Sequence, residues 1–196
     1  RNFVTKLWNA ARFLEMNQCY RVEGFDPKLA KHSLNRWIAG ATARAADEIT
    51  KGILDYKFNE AANAAYDFVW GTFCDWYVEL AKPILTGEDA EAKAETRAMA
   101  AWSLDQILKL LHPFMPYVTE ELWAETGKTG PAREKLLVVT QWPDLGGLGD
   151  AEAEAGLDRL GHFVCRLLAG RQWMTGAAAP QIPLHNGPPQ AQIHAR

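Results

Sequence analysis

The stretch NEAANAAYDFVWGTFCDWYVELAKP (residues 59–83) carries the clearest structural pattern in the sequence. Its apolar residues recur at helical spacing along one side, and a second, largely aromatic series runs beside the first. The first series comprises Phe58, Ala62, Ala65, Val69, Phe73, Trp76 and Leu80, and the second Tyr66, Trp70, Cys74 and Tyr77. A helix that is apolar nearly all round is predicted to be the buried centre of a bundle. We therefore interpret the aromatics of residues 68–77 as core, and expect Pro83 to end or kink the helix.

The flanking segments also show helical periodicity. The inward-facing residues are Phe3, Leu7, Ala10 and Leu14 in a first helix, and Leu34, Ile38, Ala41, Ala45, Ile49 and Ile53 in a second that Ser33 can cap. A fourth helix is predicted to run to about His112, where two prolines end it, and residues 117–127 to form a short amphipathic helix. KLLVVTQWP (residues 135–143) is rich in β-branched and aromatic residues, so it is the one good strand candidate.

These segments predict an all-α fold, a bundle of four main helices with a short strand-like segment and an irregular C-terminal tail. The expected divisions are a helical bundle over residues 1–130, a strand-like segment and linker over 131–150, and a short helix with a loose tail over 151–196. The tail is rich in Ala, Gly, Pro and Gln without periodicity. With 48% hydrophobic residues in a chain of 196, a substantial core is expected and global disorder is not.

Several classes of function lack the residues they need. No apolar run approaches the ~20 residues of a membrane span, so no membrane partner is expected. The cysteines (Cys19, Cys74 and Cys165) lie far apart without a CxxC pair, which argues against a disulfide framework or a thiolate zinc site and favours a cytoplasmic protein. The sequence contains no GxxxxGK[ST], GxGxxG, HExxH or GxSxG motif. We therefore expect no catalytic residue, metal site or cofactor in this chain.

The net charge of −3 is unevenly distributed. Residues 1–57 hold ten Lys and Arg against six Asp and Glu, whereas residues 58–196 hold eleven against eighteen. A basic N-terminal third on an acidic protein suggests a local surface for a polyanion. Uneven sampling of solvated helix faces explains the same numbers, and charge alone favours that simpler interpretation.

The first helix has a second, polar stripe. Asn2, Lys6, Asn9 and Phe13 are spaced by four, three and four residues, so they share one side, and Arg12 lies beside them. Asn and Arg offer hydrogen-bonding edges, Lys attracts phosphate, and Phe offers a face for an unpaired base. The alternative is that Phe13 packs in the core and the polar residues are ordinary surface. The spacing leaves the two interpretations open.

Four segments in order resemble the anticodon-binding domain of valyl-tRNA synthetases, a family of class I aminoacyl-tRNA synthetases. They are RNFVTKLWNAARF (1–13), LNRWI (34–38), YKFNEAANAAYDFVWGTFCDWYVELAKPIL (56–85) and LLHPFMPYVTEELW (110–123). The last segment is shared loosely with isoleucyl and leucyl relatives, whereas KLWNAARF and FCDWYVELAKP are closer to the valyl branch. The resemblance covers roughly residues 1–143. Beyond it, LLAGRQWMTGAAAPQIPL keeps only fragments of the family's pattern, and no segment resembles the family's C-terminal coiled coil.

The resemblance implies a helical module that holds the anticodon stem-loop of tRNA, the valine isoacceptors. In this family ATP and magnesium serve a catalytic domain that lies N-terminal to this region, as does the editing domain, and the parent enzyme is expected to be monomeric. The family-implied tRNA contacts are Lys6, Asn9, Arg12, Phe13, Val78, Glu79 and Lys82. Phe13 would stack on a base, Asn9 and Arg12 would read polar edges, and Lys6 would approach the backbone.

Two other functions stay open at this point. One is a helical protein–protein interaction module that has lost tRNA binding, which the atypical C-terminal region makes conceivable. The other is the equivalent domain of an isoleucyl or leucyl enzyme. Salt-dependent binding to a stem-loop distinguishes the first from a tRNA-binding module. Comparison of isoacceptors with different anticodons addresses the second.

Overall fold

The computed structural model of the chain describes residues 2–149, most of which are helical. The α-helices are α1 (Asn2–Met16), α2 (Ser33–Leu54), α3 (Phe58–Asp67), α4 (Val78–Thr86), α5 (Ala90–Leu111) and α6 (Pro116–Thr126). A π-helix (Phe68–Tyr77) joins α3 to α4, and Pro27–Leu29 and Leu137–Val139 each form a turn of 3₁₀ helix. The helix and tail predicted within 151–196 lie outside the described residues, and the proposed domain divisions stay predictions.

The continuous helix formed by α3, the π-helix and α4 is the centre of the bundle. It packs against α1, α2 and α5, which makes these the four main helices, as predicted. Its buried residues are Ala61, Ala65, Phe68, Val69, Phe73, Cys74, Tyr77, Val78, Ala81 and Leu85. The interpretation of the aromatic run as core is confirmed for Phe68, Phe73 and Tyr77, whereas Trp70 and Trp76 are only half-buried.

The two apolar stripes predicted on the central helix are wrong at their N-terminal end. Phe58 is 55% exposed and Tyr66 45% exposed. A π-helix bonds each residue to one five positions away, so its wider turns shift the phase of the side chains relative to a uniform α-helix. A stripe extrapolated with the α-helical period through residues 68–77 therefore leaves the core at one end. The helix also continues past Pro83 to Thr86.

The strand predicted over residues 135–143 is wrong. Leu137–Val139 form a 3₁₀ turn, and the described part of the chain contains no strand that could pair with it. The backbone N–H groups of Leu137 and Val138 instead donate to the Glu120 carboxylate, at 2.8 and 3.2 Å. Only Leu137 of the three is buried. High β-propensity favours a strand only where a second strand is available to pair.

A buried polar cluster ties α2 to α5 and to the π-helix. The Asn35 side chain, fully buried in α2, donates to Glu95 Oε1 at 2.8 Å and to Thr96 Oγ1 at 3.0 Å. The Tyr77 hydroxyl donates to Asn35 Oδ1 at 3.3 Å. The carboxylate of Glu95 also accepts the backbone N–H groups of Lys31 and His32. These hydrogen bonds fix the position of the central helix, against which α1 packs.

Candidate nucleic-acid interface

Helix α1 lies along the central helix and runs in the same direction. Near its start the Phe3 ring stacks on Tyr66, with centroids 5.1 Å apart. Near its end the ammonium group of Lys82 lies 5.5 Å from the centroid of the Phe13 ring. The inward stripe of α1 is buried as predicted for Leu7, Ala10 and Leu14, and only half-buried for Phe3. Its remaining face is therefore displayed beside α4.

Phe13 on α1 is joined by contacts to Lys82 and through it to Glu79 on α4, and the predicted residues Asn9 and Arg12 lie within four positions of Phe13 on α1. We call this group the α1–α4 seam; its members are Asn9, Arg12, Phe13, Glu79 and Lys82. Asn9, Arg12 and Glu79 are exposed, and Phe13 and Lys82 are half-buried. Both interpretations of Phe13 hold in part, because its side chain packs against the core and is only partly buried.

Lys6, the sixth predicted residue, is held beside the seam by two groups that the sequence analysis did not assign to it. Its Nζ lies 2.5 Å from Asp75 Oδ1 and 3.8 Å from the centroid of the Trp70 ring. Both partners belong to the π-helix. A cation over an aromatic face and against a carboxylate keeps a defined position. No sequence pattern indicated this pair, because the phase of residues 70–75 follows from the π-helical turns.

Val78, the seventh predicted residue, is 6% exposed and belongs to the hydrophobic core. Its side chain does not reach the surface where the other six lie. Its place at the first position of α4 sets the direction of the next residue, Glu79.

The charges of this surface are largely paired. The Lys82 ammonium lies 2.6 Å from Glu79 Oε1, and Lys6 is paired with Asp75. Ion pairs of this exposed kind contribute little to stability, about 0–1 kcal/mol, but they reduce the local positive potential. The seam is therefore suited to stacking and hydrogen bonding more than to bulk attraction of phosphates.

A cavity of about 310 Å³ opens on the opposite flank of α1, between that helix, α5 and α6. Arg12 belongs to its lining as well as to the seam. Its wall includes Arg21 and Asp105, which form an ion pair at 4.0 Å. Cys19 lies in the same wall, where burial raises the pKa of its thiol to about 12 and outweighs the lowering effect of Arg97. This thiol stays protonated at neutral pH.

The loop after α6 closes the rim of this cavity. Gly130 has φ +79°, and a Cβ there would lie 2.9 Å from the carbonyl oxygen of Arg21. Both the positive φ and the close approach require glycine. The side chain of Arg21 in turn donates from Nη2 to the carbonyl of Pro131. The two contacts fasten the segment after α1 to the segment after α6.

We expect Gly130→Ala to lower the free energy of unfolding by about 1–3 kcal/mol, because it adds left-handed strain and displaces Arg21. Urea denaturation of the 196-residue chain measures the change. Gly71→Ala is the matched control, since a Cβ at that helical position has nothing within 4 Å. Equal stability of the two variants would contradict the strain argument.

His112 makes a structural contact within residues 2–149. His112 Nδ1 lies 2.8 Å from Thr119 Oγ1, which joins the end of α5 to α6. Within the same residues there is no group of three or more His, Cys, Asp or Glu side chains placed to hold a metal ion. Nor does this part of the chain contain a helix with the length and hydropathy to cross a membrane.

The chain is similar in sequence to proteins of known function. Residues 35–165 match the family model described as the anticodon-binding domain of tRNA ligase. The chain is 52% identical over 195 residues to a valine–tRNA ligase of Caulobacter vibrioides, covering 98% of this chain and 22% of that protein. It is 59% identical over 152 residues to the valine–tRNA ligase of Rhodopseudomonas palustris, covering 78% of this chain and 16% of that protein.

The fold has a counterpart among solved structures. The structure superposes with a TM-score of 0.53 on a chain of the LeuRS–tRNA–LeuAMS ternary complex from Agrobacterium radiobacter K84. The match covers 74% of this chain and 16% of that chain at 21% sequence identity, so it supports the fold alone. Together with the family model, which spans more than half of the sequence, these likenesses confirm the resemblance noted in the sequence. The chain belongs to the family of anticodon-binding domains of tRNA ligases.

Proposed function

We propose that this chain binds the anticodon stem-loop of tRNA through the α1–α4 seam. The observation that carries the proposal is the setting of Phe13, a half-buried aromatic ring whose centroid lies 5.5 Å from the ammonium group of Lys82, with the exposed residues Asn9 and Arg12 close to it on α1. Stacking on an aromatic ring stabilises a bound base by about 1–3 kcal/mol, and unpaired loop bases are the parts of an RNA that can be splayed out for it.

The proposed contacts divide by chemistry. Phe13 stacks on one loop base, and Asn9 and Arg12 hydrogen-bond to base edges. Lys82 and Lys6 contact the backbone, and each exchanges part of its present carboxylate pairing for phosphate. The carboxylate of Glu79 accepts a hydrogen bond from the exocyclic amino group of a loop base. Val78 takes part only by fixing the first turn of α4.

The chain spans 22% and 16% of the lengths of the two valine–tRNA ligases it matches, so the activity of a whole protein is a further proposal. We propose that the chain serves as the anticodon-binding module of a cytoplasmic, monomeric valine–tRNA ligase. In that enzyme ATP and magnesium would be used elsewhere, and this module would hold the valine isoacceptors so that their acceptor end reaches the catalytic site.

The direct test is a fluorescence titration of the 196-residue chain with a labelled anticodon stem-loop of a valine tRNA, at several salt concentrations. A tRNA-binding module shows saturable binding that weakens as salt rises, because phosphate contacts release counterions. A protein–protein interaction module shows no affinity for the stem-loop at any salt concentration, and that result would overturn the proposal. Stem-loops with isoleucine and leucine anticodons in the same assay address the specificity.

The Phe13→Leu variant tests the stacking residue. Leucine keeps most of the apolar volume that packs on the core but removes the aromatic face. We expect affinity for the valine stem-loop to fall about 5- to 150-fold, the equivalent of losing ~1–3 kcal/mol of stacking. In a full-length ligase the same substitution should leave valyl-adenylate formation unchanged. Phe58→Leu is the matched control, because Phe58 is an exposed aromatic at the start of α3, remote from the seam. Equal affinities for both variants would exclude Phe13 from the interface.

A further inference from the structure

We infer that the cavity between α1, α5 and α6 receives a second unpaired nucleobase of the same RNA loop. This inference rests on the proposed function, since it adds a subsite to the α1–α4 seam. The cavity volume of about 310 Å³ lies at the small end of the range for ligand sites, ~300–1,000 Å³, which suits a single base.

The walls of the cavity offer what a flat, polar-edged ring requires. Apolar surface comes from α1, α5 and α6, with the half-buried indole of Trp8 as the aromatic member. Ala11 and Ala101, both buried, line it with small side chains that leave room for a ring. Sites for small molecules are lined mainly by apolar groups with a few placed polar ones, and this cavity has that composition.

The polar groups of the lining include both hydrogen-bond donors and hydrogen-bond acceptors. Glu15 and Glu125 supply carboxylate acceptors, and Arg12 and Arg21 supply guanidinium donors. One oxygen of Glu125, Oε1, is paired with the ammonium group of Lys128 at 2.6 Å, and Oε2 is its other acceptor. A carboxylate accepts from the exocyclic amino group of cytosine, and a guanidinium donates to the ring and carbonyl acceptors of guanine. A base that carries both an amino group and a carbonyl can satisfy both kinds of group at once, whereas a purely apolar ligand satisfies neither.

Arg21 has an unused donor. Its Nε is buried and has no hydrogen-bond acceptor among the described residues, although Asp105 lies 4.0 Å away. Burial, with the neighbouring charge of Arg133, lowers the pKa of Arg21 against the raising effect of Asp105. A buried donor without an acceptor costs about 1–3 kcal/mol, so an acceptor arriving in the cavity would gain from it.

Arg12 connects this cavity to the seam. It lines the cavity, while its neighbour in sequence, Phe13, belongs to the seam on the other flank of α1. Consecutive side chains on an α-helix diverge by about 100°. An RNA loop that straddles α1 could therefore place one base on Phe13 and another in the cavity, with Arg12 between them.

Two variants of the cavity test the inference. Ala101→Leu fills the space from α5, and Glu125→Gln removes one acceptor charge from a half-buried position with little effect on packing. Glu121→Gln is the matched control, because Glu121 is an exposed residue of the same helix outside the lining. Urea denaturation checks that each variant folds. If Ala101→Leu does not fold, Glu125→Gln alone still tests the inference.

The readout uses valine-tRNA anticodon stem-loops carrying 2-aminopurine at each loop position in turn, titrated with the 196-residue chain. We expect one position whose fluorescence change is lost in Ala101→Leu but kept in Phe13→Leu, and a fall in affinity of about tenfold for both cavity variants. If both cavity variants bind like Glu121→Gln with unchanged fluorescence while Phe13→Leu binds weakly, the cavity inference is overturned and the proposed function stands. If the wild-type chain binds no stem-loop, both are overturned.

Discussion

Asp105→Ala is expected to lower the free energy of unfolding by about 3–5 kcal/mol, since removing one partner of a buried ion pair leaves an uncompensated charge. The Arg133 guanidinium donates to both oxygens of Asp105, at 2.6 and 3.1 Å. Only 8% of the Arg133 side chain and 15% of that of Asp105 are exposed. The same guanidinium stacks on Trp123 at 3.4 Å. Loss of the carboxylate therefore leaves the guanidinium groups of Arg133 and Arg21 largely buried without their anionic partner.

Urea denaturation of wild type and variant measures this effect, with the slope of the transition as a check on the compactness of the unfolded state. Glu60→Ala is the matched control, because Glu60 forms an exposed pair with Lys57, with 60% and 54% of the side chains in solvent. That control is expected to lose no more than about 1 kcal/mol. If Asp105→Ala lowers the free energy of unfolding by no more than Glu60→Ala does, then water, and not the carboxylate, compensates the charges of the two arginines.

Asn35→Ala is expected to lower the free energy of unfolding by about 2–4 kcal/mol, because the alanine leaves several buried polar groups without partners. Thr96 and Glu95 each lose a donor, and the Tyr77 hydroxyl loses its acceptor on Asn35. The carbonyl of Thr96, at 3.4 Å, remains as the alternative acceptor for that hydroxyl. Asn63→Ala on the exposed face of α3 is the control, with an expected change within about 0.5 kcal/mol.

The same variant should change the response to acid. Burial acts to raise the pKa of Glu95, but the hydrogen bonds from Asn35 and from the backbone of Lys31 and His32 outweigh it, so the pKa is lowered overall. A lowered carboxyl pKa contributes stability above its unfolded value of 4.5, and that stability is lost as the pH falls through the folded value. Asn35→Ala should therefore begin to unfold at higher pH than wild type. An unchanged acid midpoint would contradict the role given to this hydrogen bond.

The elements that sequence reasoning predicted well are those determined by local periodicity. The stripes of α1 and α2 required only a uniform helical period, whereas the tRNA contacts assigned to Asn9, Arg12 and Phe13 stay predictions. The resemblance then supplied Glu79 and Lys82, and the structure brings both to the surface beside Phe13.

The features that sequence reasoning missed depend on contacts between distant residues. Asp105 and Arg133 are 28 positions apart, and no spacing rule connects them. The cavity exists because three helices fail to close against one another, which no single segment encodes. The strand at residues 135–143 was predicted from composition, whereas Glu120 accepts the backbone donors there.

The π-helix has a consequence for length. Helix α1 contacts the central helix at Phe3, which stacks on Tyr66, and at Phe13, which lies near Lys82. Between these two contacts α1 advances by ten residues and the central helix by sixteen. In uniform α-helices these spans would measure about 15 and 24 Å, a mismatch of nearly two turns. The π-helix winds more residues into each turn and so shortens the longer span. The segment Phe68–Tyr77 thus takes up part of the difference in length between the two spans that end at the Phe13–Lys82 contact.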